Sequence, residues 1–209
     1  TILDKNSSGE YTIDSTNGGT SQTLNGDLTI VTNETLRISS GETLTIASGK
    51  TLRINGTGEY AKIIIENGGE IIVNGELIVV GPRASRRFGK LNVATGGILT
   101  IASTGTLTIS AEVNNSGVIV KTGTITINNS VASNANGTLT NAGLVLDKSS
   151  NDLTFNSYGG TSQTLKGDFT IASGETLTIA SGQTLTIFSG VTLTNNGIIV
   201  KIGTLTNNG

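Results

Sequence analysis

The chain has 209 residues, a formal net charge of −2 and a pI near 5.1, and only 3% of its residues are aromatic. It contains no cysteine and no histidine, which excludes disulfides, thiolate chemistry and the usual zinc, copper and haem ligands. The charge is mixed and near neutral, and no apolar run approaches the roughly 18 residues of a membrane-spanning helix. We therefore expect no cofactor, no nucleic-acid partner and no membrane span.

The first regular pattern covers residues 28–54, after a weaker version of it over residues 1–27. Leucines recur every eight residues, and an isoleucine follows each of them two places later. The leucines are Leu28, Leu36, Leu44 and Leu52. Such apolar–polar–apolar triplets indicate short strands with one buried face. The four-residue gaps, such as Ser39-Ser40-Gly41-Glu42, carry the residues of tight turns. The unit is a strand plus a corner, which buries its apolar face only when stacked on copies of itself.

Residues 59–80 continue the period with more apolar side chains. Besides the expected inward positions, outward positions are also aliphatic: Ile64, Ile72, Ile78 and Val80. This excess predicts a side of the solenoid that is covered by another segment or by a partner.

Residues 81–90 interrupt the pattern. They contain the only proline and four of the thirteen basic residues: Arg83, Arg86, Arg87 and Lys90. Because proline cannot donate a hydrogen bond to a strand ladder, we expect a loop that leaves the stack. The four cations make it a candidate binding loop for an anionic partner. The alternative is a solvated excursion, or a loop that pairs with Glu66, Glu70 or Glu76.

The period resumes over residues 91–146. The apolar pairs predicted to point inward are Leu91/Val93, Leu99/Ile101, Leu107/Ile109, Val118/Val120, Ile125/Ile127 and Leu144/Leu146.

A second, longer repeat divides the chain into modules. The sequence of residues 18–30 returns almost unchanged at 159–171, and that of residues 117–126 returns at 197–206. We interpret residues 1–209 as a single continuous solenoid, with module 1 at about 1–143, a partial second module at about 144–209 and a loop excursion at 81–90. Since the pattern stops without a polar cap, we expect either a longer chain or another subunit's strand at this end.

The eight-residue unit predicts an all-β fold, a parallel β-helix or β-solenoid. We favour a three-sided, right-handed coil with three units in each turn; the alternative is a flattened, two-sided coil with two units in each turn. Leucine should stack on leucine and isoleucine on isoleucine, and asparagines at corners should form amide ladders.

Residues 173–187 and 192–198 (SGETLTIASGQTLTI and TLTNNGI) resemble the Thr/Gly/Asn-rich β-solenoid repeats of large bacterial and archaeal surface and adhesin-like proteins. The resemblance covers most of the chain. It implies an extracellular, elongated protein with a structural or adhesive role, and it transfers no functional residue because the repeat is a scaffold.

The residues themselves favour no catalytic or metal chemistry. Acidic residues are spread over corners, and Asp27 and Asp168 recur because the module recurs; a glycosidase would need converging carboxylates. The Gly-Gly pairs lack the rest of a calcium-binding nonapeptide, although one isolated Ca²⁺ site stays open as an alternative. Thr-x-Thr triplets occur in successive units, which places them on different sides rather than on one ice-binding face.

We therefore predict a non-enzymatic structural protein, a rigid rod or filament subunit on the cell surface that assembles end to end with copies of itself. The alternative is an adhesin stalk that binds a cell-surface glycan. Ice binding and polysaccharide degradation are less favoured.

Overall fold

The eight-residue unit forms one strand and one corner, and three units complete a turn, so that Leu28 lies beside Leu52 and Leu52 beside Leu77 on neighbouring parallel strands. The computed structural model describes residues 3–13, 19–56, 61–81, 89–128 and 137–209. The chain is an all-β parallel solenoid of about 7 turns with 57% of its residues in strands. The predicted fold class is confirmed, including the three sides.

The first eighteen strands build a stack that we call coil 1. In chain order they are β1 (Leu3–Lys5), β2 (Glu10–Ile13), β3 (Ser21–Leu24), β4 (Leu28–Val31), β5 (Thr35–Ile38), β6 (Thr43–Ile46), β7 (Thr51–Asn55), β8 (Lys62–Ile65), β9 (Glu70–Val73), β10 (Glu76–Val80), β11 (Lys90–Val93), β12 (Ile98–Ile101), β13 (Thr106–Ile109), β14 (Glu112–Asn115), β15 (Val118–Lys121), β16 (Thr124–Ile127), β17 (Thr138–Asn141) and β18 (Leu144–Ser149).

Each side of coil 1 is one parallel sheet. The first sheet has the order β1-β2-β5-β8-β11-β14-β17, in which β1 alone is antiparallel. The second sheet contains β3, β6, β9, β12, β15 and β18, and the third contains β4, β7, β10, β13 and β16. The inward leucines, isoleucines and valines of the three sheets form one buried core, because each strand turns alternate side chains to the same face.

Corners are closed by a recurring side-chain bond. The backbone N–H of Ser39 donates to the carboxylate of Glu42 at 2.7 Å, three residues later, and Gly41 between them takes a φ of 77°, which favours glycine. Gln183 forms the same bond with the N–H of Ala180 at 2.9 Å. A Gly-Glu or Gly-Gln corner thus satisfies a backbone donor that has left the strand ladder.

The chain reverses at the end of coil 1. Strand β18 forms an antiparallel hairpin with β19 (Asp152–Phe155), and Leu146 lies opposite Phe155. We call this pair the junction hairpin. All later strands of the second sheet, β19, β22 (Thr176–Ile179) and β25 (Ile198–Lys201), run in the reversed direction.

The strands after the reversal form coil 2. Besides β19, β22 and β25, which continue the second sheet to nine strands, they form a fourth and a fifth sheet. The fourth sheet contains β20 (Ser162–Leu165), β23 (Thr184–Ile187) and β26 (Thr204–Asn207), and the fifth contains β21 (Phe169–Ile171) and β24 (Leu193–Asn195).

Coil 2 has its own core on the opposite face of the second sheet. Ile119 and Val145 belong to the core of coil 1, whereas Val118, Val120 and Leu146 belong to that of coil 2. Two features of the second sheet reverse at the junction: the direction of the strands and the face that packs against the core. Because both reverse, coil 2 winds with the same hand as coil 1. Its axis, however, lies on the other side of the second sheet.

This arrangement corrects two predictions. The pairs Val118/Val120 and Leu144/Leu146 do not point into coil 1; they face coil 2, because β15 and β18 are buried on both faces. The aliphatic outward residues of 63–80 do not share a side either: Ile64 lies on β8, Ile72 on β9 and Ile78 on β10, which belong to three different sheets.

Candidate functional site

The basic loop predicted from the sequence lies largely outside the described residues, since Arg83, Arg86 and Arg87 fall in the segment 82–88. Its fourth cation, Lys90, begins β11 and forms an ion pair of 2.9 Å with Glu112. Partial burial would raise the pKa of Glu112, but the hydrogen bonds from Lys90 and Asn114 and the positive charge of Lys90 together outweigh it, so the pKa lies below its ordinary value. Lys90 thus ties two turns of the first sheet together.

The three glutamates considered as partners of that loop have contacts elsewhere. Glu66 pairs with Arg37 at 2.5 Å. Glu70 accepts a hydrogen bond from Thr100 at 2.8 Å, and Glu76 accepts one from Thr108 at 3.4 Å. These contacts cross from one turn to the next.

The recurring aspartates have the same kind of role. Asp27 accepts a hydrogen bond from the N–H of Thr51 at 2.8 Å, and Asp168 accepts one from the N–H of Thr192 at 2.8 Å. Each carboxylate therefore accepts a hydrogen bond from a backbone N–H that lies 24 residues later, one turn further along the coil. Within the described residues no group of three or more acidic side chains is placed to hold a metal ion.

The Thr-x-Thr triplets of successive units lie on different sides, as predicted. Thr176 and Thr178 are on β22 of the second sheet, whereas Thr184 and Thr186 are on β23 of the fourth. Among the described segments no helix is long and apolar enough to cross a bilayer.

The junction between the coils is held by a buried side-chain amide. The side chain of Gln163 is buried there; its oxygen accepts the N–H of Val145 at 2.7 Å, and its amide nitrogen donates to the carbonyl of Gly160 at 3.0 Å. A buried amide with both ends bonded fixes coil 2 against the last strand of coil 1.

A short 3-10 turn, Ser157–Gly159, covers the end of coil 1 immediately after β19. The hydroxyl of Tyr158 donates to the carbonyl of Ile125 at 3.4 Å, and the amide of Asn141 donates to the carbonyl of Gly159 at 3.4 Å. The turn thereby caps β16 and β17, whose outer edges pair with no other described strand.

Asparagines form a ladder at the corner that leads into the junction. The amide nitrogen of Asn115 donates to the side-chain oxygen of Asn141 at 2.8 Å and to the carbonyl of Leu144 at 3.1 Å. The oxygen of Asn115 accepts the N–H of Gly117 at 3.1 Å. The amide ladders predicted for the corners are confirmed here.

An open cleft of about 530 Å³ lies where the outer face of coil 1 meets coil 2. Glu70 and Thr100 contribute one wall, and Phe169, Lys148 and Glu175 contribute the other. The cleft combines an aromatic ring, a cation and two carboxylates.

Lys148 and Glu175 of this cleft form an ion pair of 2.5 Å. Partial burial would raise the pKa of Glu175, but the hydrogen bonds from Lys148 and from the N–H of Ala172 outweigh it, so the pKa lies below its ordinary value of 4.5. The carboxylate is therefore ionised at neutral pH.

Exposed aliphatic side chains gather at the far end of coil 2. On β25, the outward side chains of Ile198 and Val200 are 58% and 39% exposed, and Ile202 in the following corner is also exposed. In coil 1, the matching residues of β15, Val118 and Val120, are 1% and 9% exposed.

Sequence reasoning missed the junction and therefore the cleft. The signal was available in the runs Val118-Ile119-Val120 and Leu144-Val145-Leu146, where three successive residues are aliphatic. Such continuous runs are typical of strands that are buried on both faces.

No family model matches the chain, and neither a curated protein nor a solved structure matches it.

Proposed function

We propose that the chain is a structural protein of the cell surface, a rigid β-solenoid rod that assembles end to end into longer rods or filaments. The extracellular location follows the resemblance of its repeats to those of bacterial and archaeal surface and adhesin-like proteins.

The observation that carries this proposal is a set of strand edges that no other described strand covers. Strand β1 ends the first sheet, β25 ends the second and β26 ends the fourth, and no other strand among the described residues pairs with their outer edges. Unpaired edges expose backbone donors and acceptors in strand spacing, and they pair readily with another chain. The exposed aliphatic residues of β25 add a hydrophobic contribution at the same end.

The side-chain contacts also support a structural role. The ion pairs Arg37–Glu10 and Lys121–Asp147, at 2.7 Å and 2.9 Å, both join neighbouring strands of one sheet. No buried side-chain nitrogen or oxygen atom within the described ranges lacks a hydrogen-bond partner. These charged side chains therefore join neighbouring turns of the coil.

Electron microscopy and sedimentation velocity over a concentration series test the proposal. We expect filaments whose diffraction shows an axial layer line at about 4.8 Å, the spacing of neighbouring strands, and a sedimentation coefficient that rises with concentration. A protein that stays monomeric at high concentration contradicts it.

A second candidate function is an adhesin stalk that binds a glycan, and the cleft between the coils favours it. Phe169 offers an apolar ring for stacking on a sugar, while Glu70 and Lys148 offer polar contacts. Glycan-array binding that is lost in Phe169→Ala but kept in Phe188→Ala, an exposed phenylalanine that does not line the cleft, would support this function. Equal binding by both variants would oppose it.

A further inference from the structure

The junction inside the chain shows how one coil of this protein receives the next. Strand β18 adds in parallel to β15, with Val120 beside Leu146 and Lys121 beside Asp147. Lys121 and Asp147 form an ion pair of 2.9 Å. The core of coil 2 then covers Val118 and Val120 on the outer face of β15.

We call β15, the strand to which β18 adds, the receiving half of this junction, and β18 the donating half. The end of coil 2 repeats the receiving half. The sequence Gly117-Val-Ile-Val-Lys121 returns as Gly197-Ile-Ile-Val-Lys201, which contains β25. Here the outward Ile198 and Val200 are uncovered, and Lys201 is exposed with no ion-pair partner among the described residues. Strand β25 is one edge strand of the nine-stranded sheet, and no other described strand pairs with its outer edge.

The start of coil 1 repeats the donating half. Leu3-Asp4-Lys5 has the same sequence as Leu146-Asp147-Lys148. Strand β1 is followed by an antiparallel partner, as β18 is, and Leu3 lies opposite Ile13 as Leu146 lies opposite Phe155. Lys5 also pairs with Glu34 in the way that Lys148 pairs with Glu175.

In coil 1, however, no strand among the described residues receives β1 in this way. Strand β1 is the outermost strand of its sheet, and Asp4 is exposed and forms no ion pair within the described parts of the chain. The described residues thus contain counterparts of both strands of the junction, β25 for β15 and β1 for β18.

We infer that β1 of a second copy of this chain adds in parallel to β25, with Leu3 beside Val200 and Asp4 beside Lys201. Coil 1 of the second copy then covers Ile198 and Val200, as coil 2 covers Val118 and Val120. This inference rests on the proposed function, because it specifies the strands and the register of the end-to-end contact.

The alternative edge at the same end, β26, fits less well. Its outward residues are Thr204 and Thr206, and those of its neighbour β23 are Thr184 and Thr186. Covering these hydroxyls with an aliphatic core would bury polar groups without partners, which costs free energy. The aliphatic outward face of β25 carries no such penalty.

Charge exchange tests the register. Lys201→Glu and Asp4→Lys each place like charges opposite one another, and we expect each to raise the critical concentration for assembly about tenfold or more. In an equimolar mixture of the two variants, the two introduced charges are opposite in sign and meet at one contact. The unmodified Lys201 of one variant and the unmodified Asp4 of the other meet at the next contact, so the mixture should assemble like the unmodified chain. Lys50→Glu, which makes the same charge change at a corner of coil 1, is the matched control.

Cross-linking gives a second measurement, since the chain has no cysteine of its own. The double variant Asp4→Cys/Lys201→Cys should form a ladder of covalent oligomers on oxidation, whereas Lys5→Cys/Lys201→Cys should not, because Lys5 points to the other face of β1. Circular dichroism melting verifies that all variants remain folded.

The outcomes separate the two proposals. If the unmodified chain assembles and the charge variants assemble equally well, the register is wrong and the structural role stands. If the unmodified chain stays monomeric at all concentrations, both are overturned. Loss of assembly in each charge variant, with recovery in the mixture, supports both.

Discussion

Lys148 and Glu175 join the junction hairpin to the corner that follows β21, and they are the counterparts of Lys5 and Glu34 one module earlier. In both pairs the carboxylate also accepts a backbone N–H from the residue three places before it. The repeated pair shows that each hairpin of this solenoid is fixed to the turn above it by the same two side chains.

Replacing Glu175 should change the pH dependence of stability. Because the pKa of Glu175 is lowered in the folded state, its carboxylate stabilises the fold above the unfolded-state pKa, and this contribution is lost as the pH falls through the folded-state pKa. We expect Glu175→Gln to lower the free energy of unfolding by about 1 kcal/mol or less at pH 7, and the difference from the unmodified chain to vanish in acid.

Urea denaturation at several pH values measures this difference. Glu42→Gln is the control, because Glu42 closes a corner through Ser39 in the same way and forms no ion pair among the described residues. A deficit of Glu175→Gln that persists unchanged in acid would contradict the assignment.

The stacked leucine core makes a second prediction. Leu52 is fully buried between Leu28 and Leu77, and Leu52→Ala should cost about 3 kcal/mol, since it removes most of a packed side chain and leaves a cavity. Leu205→Ala, at the partly buried end of coil 2, should cost clearly less. Equal losses measured by urea denaturation would show that the core does not weaken toward this end.

The asparagine ladder gives a third prediction. Asn115→Ala removes the partners of the Gly117 N–H and the Leu144 carbonyl, both of which are buried contacts of 3.1 Å. Burying unpaired backbone groups should cost about 2 kcal/mol. Asn195→Ala is the matched control, because Asn195 accepts the N–H of Gly197 in the same way but is exposed to solvent; its effect on the melting temperature should be small.

The junction amide gives a fourth prediction. Gln163→Leu leaves the N–H of Val145 without its acceptor and should loosen coil 2 from coil 1. Hydrogen exchange should then accelerate in β19 and β20 while the amides of β6 and β7 stay protected.

Gln22→Leu provides the comparison for that experiment. Gln22 occupies the same place in module 1, but it is only half-buried and donates to the carbonyl of Gly19 at 3.2 Å. Uniform acceleration along the whole chain in Gln163→Leu would mean that the two coils exchange as one cooperative unit.

The eight-residue period made the three-sided stack predictable. Leu28 and Leu52 are three units apart in the sequence, and a turn of three units places them side by side on one sheet, as observed. The period is a local property of the chain, so it can be recognised without knowledge of distant contacts.

The reversal at the junction was harder to predict. Ser150 and Asn151 form the hairpin turn, and the same residue types form ordinary corners elsewhere. Whether such a turn continues the coil or reverses it depends on which face of β18 becomes buried, and that is decided by coil 2. The candidate site lies at this junction, so it could not be derived from the period.

The junction hairpin also determines how a pulling force would pass from coil 1 to coil 2. The second sheet is the one sheet with strands from both coils across the described residues, and β18 and β19 are the strands at which they meet. The axes of the two coils lie on opposite faces of this shared sheet. A force that pulls the coils apart would therefore be transmitted through a sheet that lies off the axis of each coil. An off-centre connection converts part of the pull into bending, so each junction would act as a compliant elbow between two stiff segments.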